Sequence, residues 1–269
     1  MKRYILIILI LLFAGGIANI HAAGTNSASR AAAYYNKGDY AKAIEIYESI
    51  IKSDGASAQL LFNMGNAYVR LNKLGEGMVC YQKAQARQPS NSIIRENINY
   101  ITDKIADRNK AKLEGKNVNV MPDDLTGLNM IGHRIWSRVS PSLWGWLAIA
   151  AFLIMIVGVS FYLFSQNVKL RKVGFFGGIV CLVLTVVLNV FTFLGRDYWL
   201  HRNECVIMSY EATLLPEPDK KAKPQVTPLV SGTVLQVIER DVYDSPGWVK
   251  VRLNSNFIGY LPKSEIVEL

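Results

Sequence analysis

The sequence predicts a multidomain membrane protein that combines an all-α helical repeat, a two-helix transmembrane hairpin and an all-β small barrel. Three observations support this architecture. Tyrosines and small residues recur at an offset of 34 positions, two long apolar stretches without charged residues follow, and the C-terminal region alternates short apolar runs with turn residues. With 51% hydrophobic residues in 269 and a mean hydropathy of +0.17, the composition excludes global disorder.

Residues 1–22 have the pattern of a secretory signal peptide. Lys2 and Arg3 precede a short and almost wholly apolar run, and small residues follow at Ala22 and Ala23. Because an apolar run of about ten residues is short for a membrane span, we expect cleavage near Ala22. The alternative is a retained N-terminal anchor.

Residues 24–108 contain an internal helical repeat. Tyr34 and Tyr47 align with Tyr68 and Tyr81 at the offset of 34. This spacing resembles the tetratricopeptide repeat, whose unit is a pair of antiparallel helices. Large side chains would fill the seam between the paired helices, while small residues would allow close backbone approach. The small residues in question are Gly65 and Ala84.

A closing helix is predicted after the second repeat unit by a largely apolar stripe at helical spacing. The stripe consists of Ile93, Ile94, Asn97, Ile98, Ile101 and Ile105. The second unit also departs from the family pattern, because Gly77 stands where the family has Ala. A helix-interior Gly in place of Ala costs about 1 kcal/mol, so we expect Gly77 to loosen its helix.

Residues 109–142 separate the repeat from the first apolar stretch. The polar part, residues 109–123, indicates a linker. Residues 125–139 then place their large apolar side chains on one helical face, which predicts an amphipathic helix lying in the membrane interface. A helix packed against the repeat domain is the alternative.

Two uncharged apolar segments, residues 143–164 and 173–195, predict a transmembrane hairpin, since each is long enough to cross a bilayer as a helix. Residues 165–172 between them contain three basic side chains, which places this loop in the cytoplasm. The N- and C-terminal domains would then both be extracytoplasmic, in the periplasm at a bacterial inner membrane. An exported N-terminus independently requires the same topology.

Residues 204–269 predict a small all-β domain. Four short runs have strand character and are separated by turn residues: 206–208, 233–238, 248–253 and 257–261. The segments Gly247-Trp248-Val249 and Gly259-Tyr260-Leu261 resemble the bacterial SH3-like domain. Such domains bind cell-wall peptides in some proteins and protein partners in others. Trp248 and Tyr260 are therefore either ligand contacts or packing residues of the barrel.

The order of these parts resembles the Bacteroides aerotolerance family over nearly the whole chain, together with Asn66-Ala67-Tyr68 in the repeat and Gly247-Trp248-Val249 in the last domain. The resemblance implies a non-enzymatic membrane component. It also implies protein partners, namely von Willebrand factor A domain proteins and a MoxR-type AAA ATPase, and a role in aerotolerance or envelope stress.

Candidate partner-binding residues follow from the repeat family, in which the first helix of each pair lines a concave surface. The six candidates are Tyr35 and Asn36 from the first unit and Phe62, Asn66, Val69 and Arg70 from the second. A groove with aromatic, amide and guanidinium groups suits an extended peptide or a partner helix. The alternative is that these side chains are merely solvated or pack on the closing helix.

Several functions are disfavoured by the remaining residues. The net charge of +9 is spread along the chain, so no segment has the dense basic face that nucleic-acid binding requires. The sequence contains no recognisable catalytic constellation, no paired cysteines and no second His at ligand spacing, and we interpret the four-residue spacing of His201 and Cys205 as coincidence. We therefore expect no enzymatic activity, no catalytic residue, no metal and no cofactor.

Two hypotheses of different classes remain. The leading one is an inner-membrane adaptor or scaffold, embedded in the lipid bilayer, whose repeat binds protein partners. The second is an envelope sensor or anchor that binds peptidoglycan through its SH3-like domain. They differ in which extracytoplasmic domain is indispensable.

Overall fold

The computed structural model describes residues 24–112, 135, 138–200, 203–224, 228–242, 245–254 and 257–269. Residues 1–22, the predicted signal peptide, lie outside these ranges. The predicted amphipathic helix of residues 125–139 also lies almost entirely outside them.

Five helices form the N-terminal unit. Their bounds are α1 Gly24–Asn36, α2 Tyr40–Asp54, α3 Ala58–Arg70, α4 Leu74–Arg87 and α5 Ser92–Lys112. Short turns with capping residues separate them: the side chain of Asp39 accepts a hydrogen bond from the Lys42 amide, and that of Ser57 accepts one from the Leu60 amide. The two pairs α1–α2 and α3–α4, closed by α5, confirm the predicted helical repeat.

The repeated tyrosines and the small residues pack as the internal repeat predicts. Tyr47 and Tyr81 are each only 2% exposed and lie in the core of the helical unit. A Cβ placed on Gly65 would lie 2.6 Å from two ring carbons of Tyr81, so only glycine fits there. Gly77 has a similar role. A Cβ on Gly77 would lie 2.8 Å from the Val69 Cγ2, so the glycine leaves room for that methyl group. The departure at Gly77 therefore accommodates a larger residue on α3.

Two long apolar helices follow, α6 Pro141–Phe164 and α7 Val168–Leu200. By length and composition alone, both could cross a membrane. Most of their large apolar side chains are exposed, unlike those of a core helix in a soluble protein. They approach closely at glycines: a Cβ on Gly174 would lie 2.4 Å from the Gly158 carbonyl oxygen.

The connection between α6 and α7 is shorter than the predicted loop of residues 165–172. Only residues 165–167 lie outside the two helices. The side chain of Asn167 accepts a hydrogen bond from the Lys169 amide at 2.9 Å, which starts α7 early. Lys169, Arg171 and Lys172 consequently lie in the first turns of α7.

The C-terminal region is rich in strands: β1 Glu204–Ile207, β2 Glu211–Ala212, β3 Leu229–Val230, β4 Val234–Glu239, β5 Trp248–Asn254, β6 Phe257–Pro262 and β7 Ile266–Glu268. Five of them form an antiparallel sheet in the order β6-β5-β4-β1-β7. Strands β2 and β3 form a second ladder, and a bridge between Leu215 and Tyr260 ties the intervening chain to the sheet. We call residues 203–269 the β unit.

The interior of the β unit follows the strand alternation. Val249, Val251 and Leu253 on β5 are buried, while Lys250 and Arg252 between them are partly exposed. The predicted strand-rich character of this region is confirmed, with a five-stranded antiparallel sheet and a two-stranded ladder in its described residues.

Candidate partner-binding groove

The candidate residues lie on α1 and α3, and the exposed face of α5 forms a third wall beside them. We call the surface between these three helices the groove. Side-chain hydrogen bonds link the helices around it. Tyr35 on α1 contacts Arg70 on α3, and Tyr81 on α4 contacts Asn97 on α5.

Arg70 and Tyr35 form one end of the groove. The Arg70 Nε donates a hydrogen bond of 3.4 Å to the Tyr35 hydroxyl, and the Tyr35 ring packs edge-on against Tyr40 at 5.2 Å between centroids. The hydrogen bond to Tyr35 raises the pKa of Arg70, whose guanidinium is charged at physiological pH in any case. Because Arg70 is exposed, its remaining donors face solvent and can meet a carboxylate or a carbonyl.

A hydrogen-bonded aromatic cluster forms the centre. The Phe62 ring stacks on Tyr81 with 5.6 Å between centroids. The Tyr81 hydroxyl donates to the Asn66 Oδ1 and lies 3.5 Å from the Asn97 Oδ1. The Asn97 amide nitrogen in turn donates to the Ile93 carbonyl at 2.8 Å. Burial raises the pKa of Tyr81, which therefore remains a neutral hydroxyl donor. Phe62 and Asn66 thus shape the groove and also support the fold.

The other two candidates, Asn36 and Val69, differ in their exposure to solvent. Asn36 is exposed at the end of α1, where its side chain is open to solvent. Val69 is half-buried and directs a methyl group at Gly77 on α4. Val69 therefore packs within the repeat and offers less surface to a partner than the other candidates do.

Exposed apolar residues on α5 were missing from the candidate set. Ile93 is 58% exposed and Tyr100 is 56% exposed, and they share one helical face with Asn97 and Lys104. The Lys104 ammonium lies over the Tyr100 ring at 5.4 Å. One signal for Ile93 was present in the sequence. It belongs to the predicted apolar stripe but precedes Ile94 by one residue, about 100° of helix rotation, and so stands outside the buried face that Ile94, Ile98, Ile101 and Ile105 share.

The two cysteines outside the apolar helices, Cys80 and Cys205, are buried, and we expect their thiols to be unreactive. Burial raises the pKa of Cys80 and of Cys205 to about 12 in each case, which leaves almost no thiolate at neutral pH. Within the part of the chain that the structure describes, no group of three or more His, Cys, Asp or Glu side chains could hold a metal ion.

Comparison with known proteins identifies the helical unit. Residues 28–57 and 58–91 match the family model described as tetratricopeptide repeat. The helical unit is built from tetratricopeptide repeats. The chain is also similar to Tetratricopeptide repeat protein 12 of Mus musculus, with 33% identity over 89 residues, which are 33% of this chain. The chain spans 12% of the length of that mouse protein. Tetratricopeptide repeats indicate a scaffold for protein–protein interaction.

Proposed function

We propose that this protein is an inner-membrane adaptor whose tetratricopeptide repeats bind a protein partner in the groove, with no enzymatic activity. The groove supports this proposal because it combines exposed apolar side chains with a fixed cation. Ile93 and Tyr100 offer apolar contact area on α5, and Arg70 on α3, which interacts electrostatically with Tyr100, offers charged hydrogen-bond donors. Aromatic residues and arginine are the side chains that carry most binding energy at protein interfaces.

In this proposal α6 and α7 are a transmembrane hairpin, residues 1–22 are a signal peptide, and both soluble units are extracytoplasmic. The exposed apolar surface of the two helices supports membrane insertion, since a soluble protein would have to cover it. The three basic residues that begin α7 support a cytoplasmic position for the turn.

The order of the units supports a closer assignment to a BatE-like member of the Bacteroides aerotolerance family. On that assignment the β unit is the SH3-like domain. The partners would be von Willebrand factor A domain proteins that work with a MoxR-type AAA ATPase, in aerotolerance or envelope stress.

The test is affinity purification from gently solubilised membranes with a groove variant that spares the fold. Phe62 and Asn66 contact the buried Tyr81, so alanine there would also weaken the repeat. The better variant combines Arg70→Ala, Ile93→Ala and Tyr100→Ala, whose side chains are exposed. We expect the native chain to recover proteins with von Willebrand factor A domains and the variant to lose them.

A matched control changes three exposed residues on the second helices of the two pairs, away from the groove: Glu45→Ala, Lys52→Ala and Lys83→Ala. This control should recover the partners as the native chain does. Equal recovery by native chain, control and groove variant would remove the groove from the binding site.

The second candidate function is an anchor or sensor that binds peptidoglycan through the β unit. One observation favours it: Trp248, Lys250 and Tyr260 lie on a partly exposed face of β5 and β6, and the Lys250 ammonium lies over the Tyr260 ring at 5.7 Å. The test is co-sedimentation of the detergent-solubilised chain with purified peptidoglycan. The anchor hypothesis requires binding that Lys250→Ala with Tyr260→Ala abolishes and that the groove variant retains.

A further inference from the structure

The β unit packs directly on the end of the helical repeat. On the repeat side, a Cβ on Gly75 of α4 would lie 2.4 Å from the Ser231 Oγ and 3.1 Å from the Ile207 carbonyl oxygen. On the other side, a Cβ on Gly232 would lie 2.6 Å from the Ile105 Cδ1 and 3.3 Å from backbone atoms of Leu74. Each surface therefore has a glycine where the other comes closest, and a side chain at either position would have to displace its neighbours unless it were bonded to them.

A buried amide joins the two units between the glycines. Asn109 on α5 is only 3% exposed, yet its Oδ1 accepts a hydrogen bond of 3.0 Å from the Val230 amide. Its Nδ2 donates to the Thr233 Oγ1 at 3.2 Å, and that hydroxyl donates to the Val230 carbonyl at 2.7 Å. Every polar atom of the Asn109 side chain thus has a partner in a turn more than 120 residues away.

The apolar core is continuous across the contact. Val206 and Val230 of the β unit are buried in the same cluster as Leu74, Ile101 and Ile105 of the repeat. The last helix of a repeat array has one face with no following repeat to cover it, and arrays need a cap there. Here the β unit covers that end.

We propose that the β unit is the C-terminal cap of the tetratricopeptide repeats and that its docking holds α5 in place as a wall of the groove. The link runs along one helix. Asn109 and Ile105 contact the β unit, Ile101 is fully buried in the repeat core, and Asn97 meets the Tyr81 hydroxyl in the groove. The order of α5 and the shape of the groove then depend on residues of the β unit that touch no partner.

The docking also constrains the arrangement at the membrane. The chain between Lys112 and Glu204 contains both apolar helices, yet the segments before and after it are in contact. Two segments in contact must lie on the same side of a bilayer, so docking requires an even number of crossings between them. The two-helix hairpin of the proposed function crosses the membrane twice and so meets this requirement. The role of the cap in partner binding rests on the proposed function, whereas the docking itself does not.

Docking is tested by a disulfide in the full chain in native membranes. Gly75→Cys with Ser231→Cys puts a thiol on each side of the closest approach. A disulfide would turn the crowded contact between the new Cβ and the side chain of residue 231 into a bonded one, so we expect this pair to cross-link under mild oxidation. The control pair is Ser53→Cys with Ser231→Cys, because Ser53 lies on α2, which α3 separates from α4 in the helix order. Equal cross-linking of the two pairs, or none in either, would overturn the docking.

The effect on α5 is tested by two variants of the β unit with matched backbone strain. Gly232 and Gly247 both have φ of +91°, so alanine strains each turn alike, but a Cβ on Gly247 meets nothing within 4 Å. In the detergent-solubilised full chain, we expect Gly232→Ala to speed hydrogen exchange of the α5 amides at least tenfold and Gly247→Ala to leave it near native. Equal exchange in α5 for the two variants would overturn the cap.

The experiments distinguish failure of the groove proposal from failure of the cap proposal. If the native chain recovers no von Willebrand factor A domain protein, the groove loses its proposed partner while the exchange and cross-linking results still stand. If Gly232→Ala leaves α5 protected, the cap is wrong whatever the groove binds.

Discussion

Gly65→Ala tests the packing that shapes the groove. Gly65 lies in the interior of α3, where alanine favours the helix by about 1 kcal/mol over glycine. Helix propensity alone therefore predicts that the variant is more stable than the native chain. The structure predicts the opposite sign, because the new methyl group would lie 2.6 Å from the Cδ1 and Cε1 atoms of Tyr81 and 3.2 Å from the Cys80 Cβ.

The magnitude depends on whether the Tyr81 ring can move. Its exposure is 2%, its face is covered by Phe62, and its hydroxyl is hydrogen-bonded to Asn66. The Tyr81 ring cannot move away from the new methyl group without losing these contacts. The cost of overpacking therefore falls in the upper part of the usual range of about 1–3 kcal/mol. After the gain in helix propensity, we expect Gly65→Ala to lower the free energy of unfolding by about 1–2 kcal/mol.

Hydrogen exchange of the α3 and α4 amides in the solubilised full chain measures this difference. A loss of about 1–2 kcal/mol corresponds to roughly 5–30-fold faster exchange through the opening equilibrium. The control is Gly77→Ala, whose closest neighbour is one methyl group of the half-buried Val69, and it should stay within about 1 kcal/mol of native. Slower exchange in Gly65→Ala than in the native chain would refute the reasoning.

Three further predictions rest on burial and topology. Ile101→Ala, at a fully buried position of α5, should lower the free energy of unfolding by about 2–5 kcal/mol, measured by the same exchange experiment. Cys80 and Cys205 should resist maleimide at pH 8 until the protein unfolds. The pKa values of both thiols are raised to about 12 in the folded state, so above about pH 9 the thiols ionise in the unfolded state first. The free energy of unfolding should therefore fall as pH rises above about 9. A urea midpoint that stays constant from pH 8 to 11 would contradict this. In intact spheroplasts, an impermeant maleimide should label Tyr210→Cys, which is exposed on the β unit, and not Ser165→Cys in the turn between α6 and α7; the reverse pattern would exclude the proposed topology.

Periodic features of the sequence predicted the repeat well. The 34-residue offset placed Tyr47 and Tyr81 in equivalent core positions, and both are buried as expected. The stripe on the closing helix was also correct for Ile94, Ile98, Ile101 and Ile105, which are buried. Such predictions succeed because a helix repeats every 3.6 residues, so sequence spacing directly encodes the buried face.

Strand prediction worked only where strands are long enough to show a pattern. Predicted residues 248–253 correspond to β5 and 257–261 to β6, within one residue at each end. Strands β2, β3 and β7 were not predicted, and each has only two or three residues. A segment that short has no alternation to detect, and its pairing is decided by its neighbours in space.

The groove was predicted only in part, because its residues come from separate helices. Arg70 and Tyr35 were chosen from their positions in the repeat, and the structure brings them into contact. Tyr100 was not chosen, since its role depends on how α5 is rotated against α3. No local pattern gives that rotation, which is set by packing on both sides of the helix.

The contact between the β unit and the repeat shows most clearly what a local pattern cannot encode. Asn109 stands in a polar stretch of sequence that indicates a linker, yet it is one of the most buried polar residues of the described chain. Two apolar surfaces alone could slide past each other at little cost. A buried amide that meets Val230 and Thr233 in one position only is costly to displace, since each lost partner leaves an unsatisfied polar group. Asn109 therefore fixes the register of α5 against the cap, and the same register keeps Asn97 beside the Tyr81 hydroxyl in the groove.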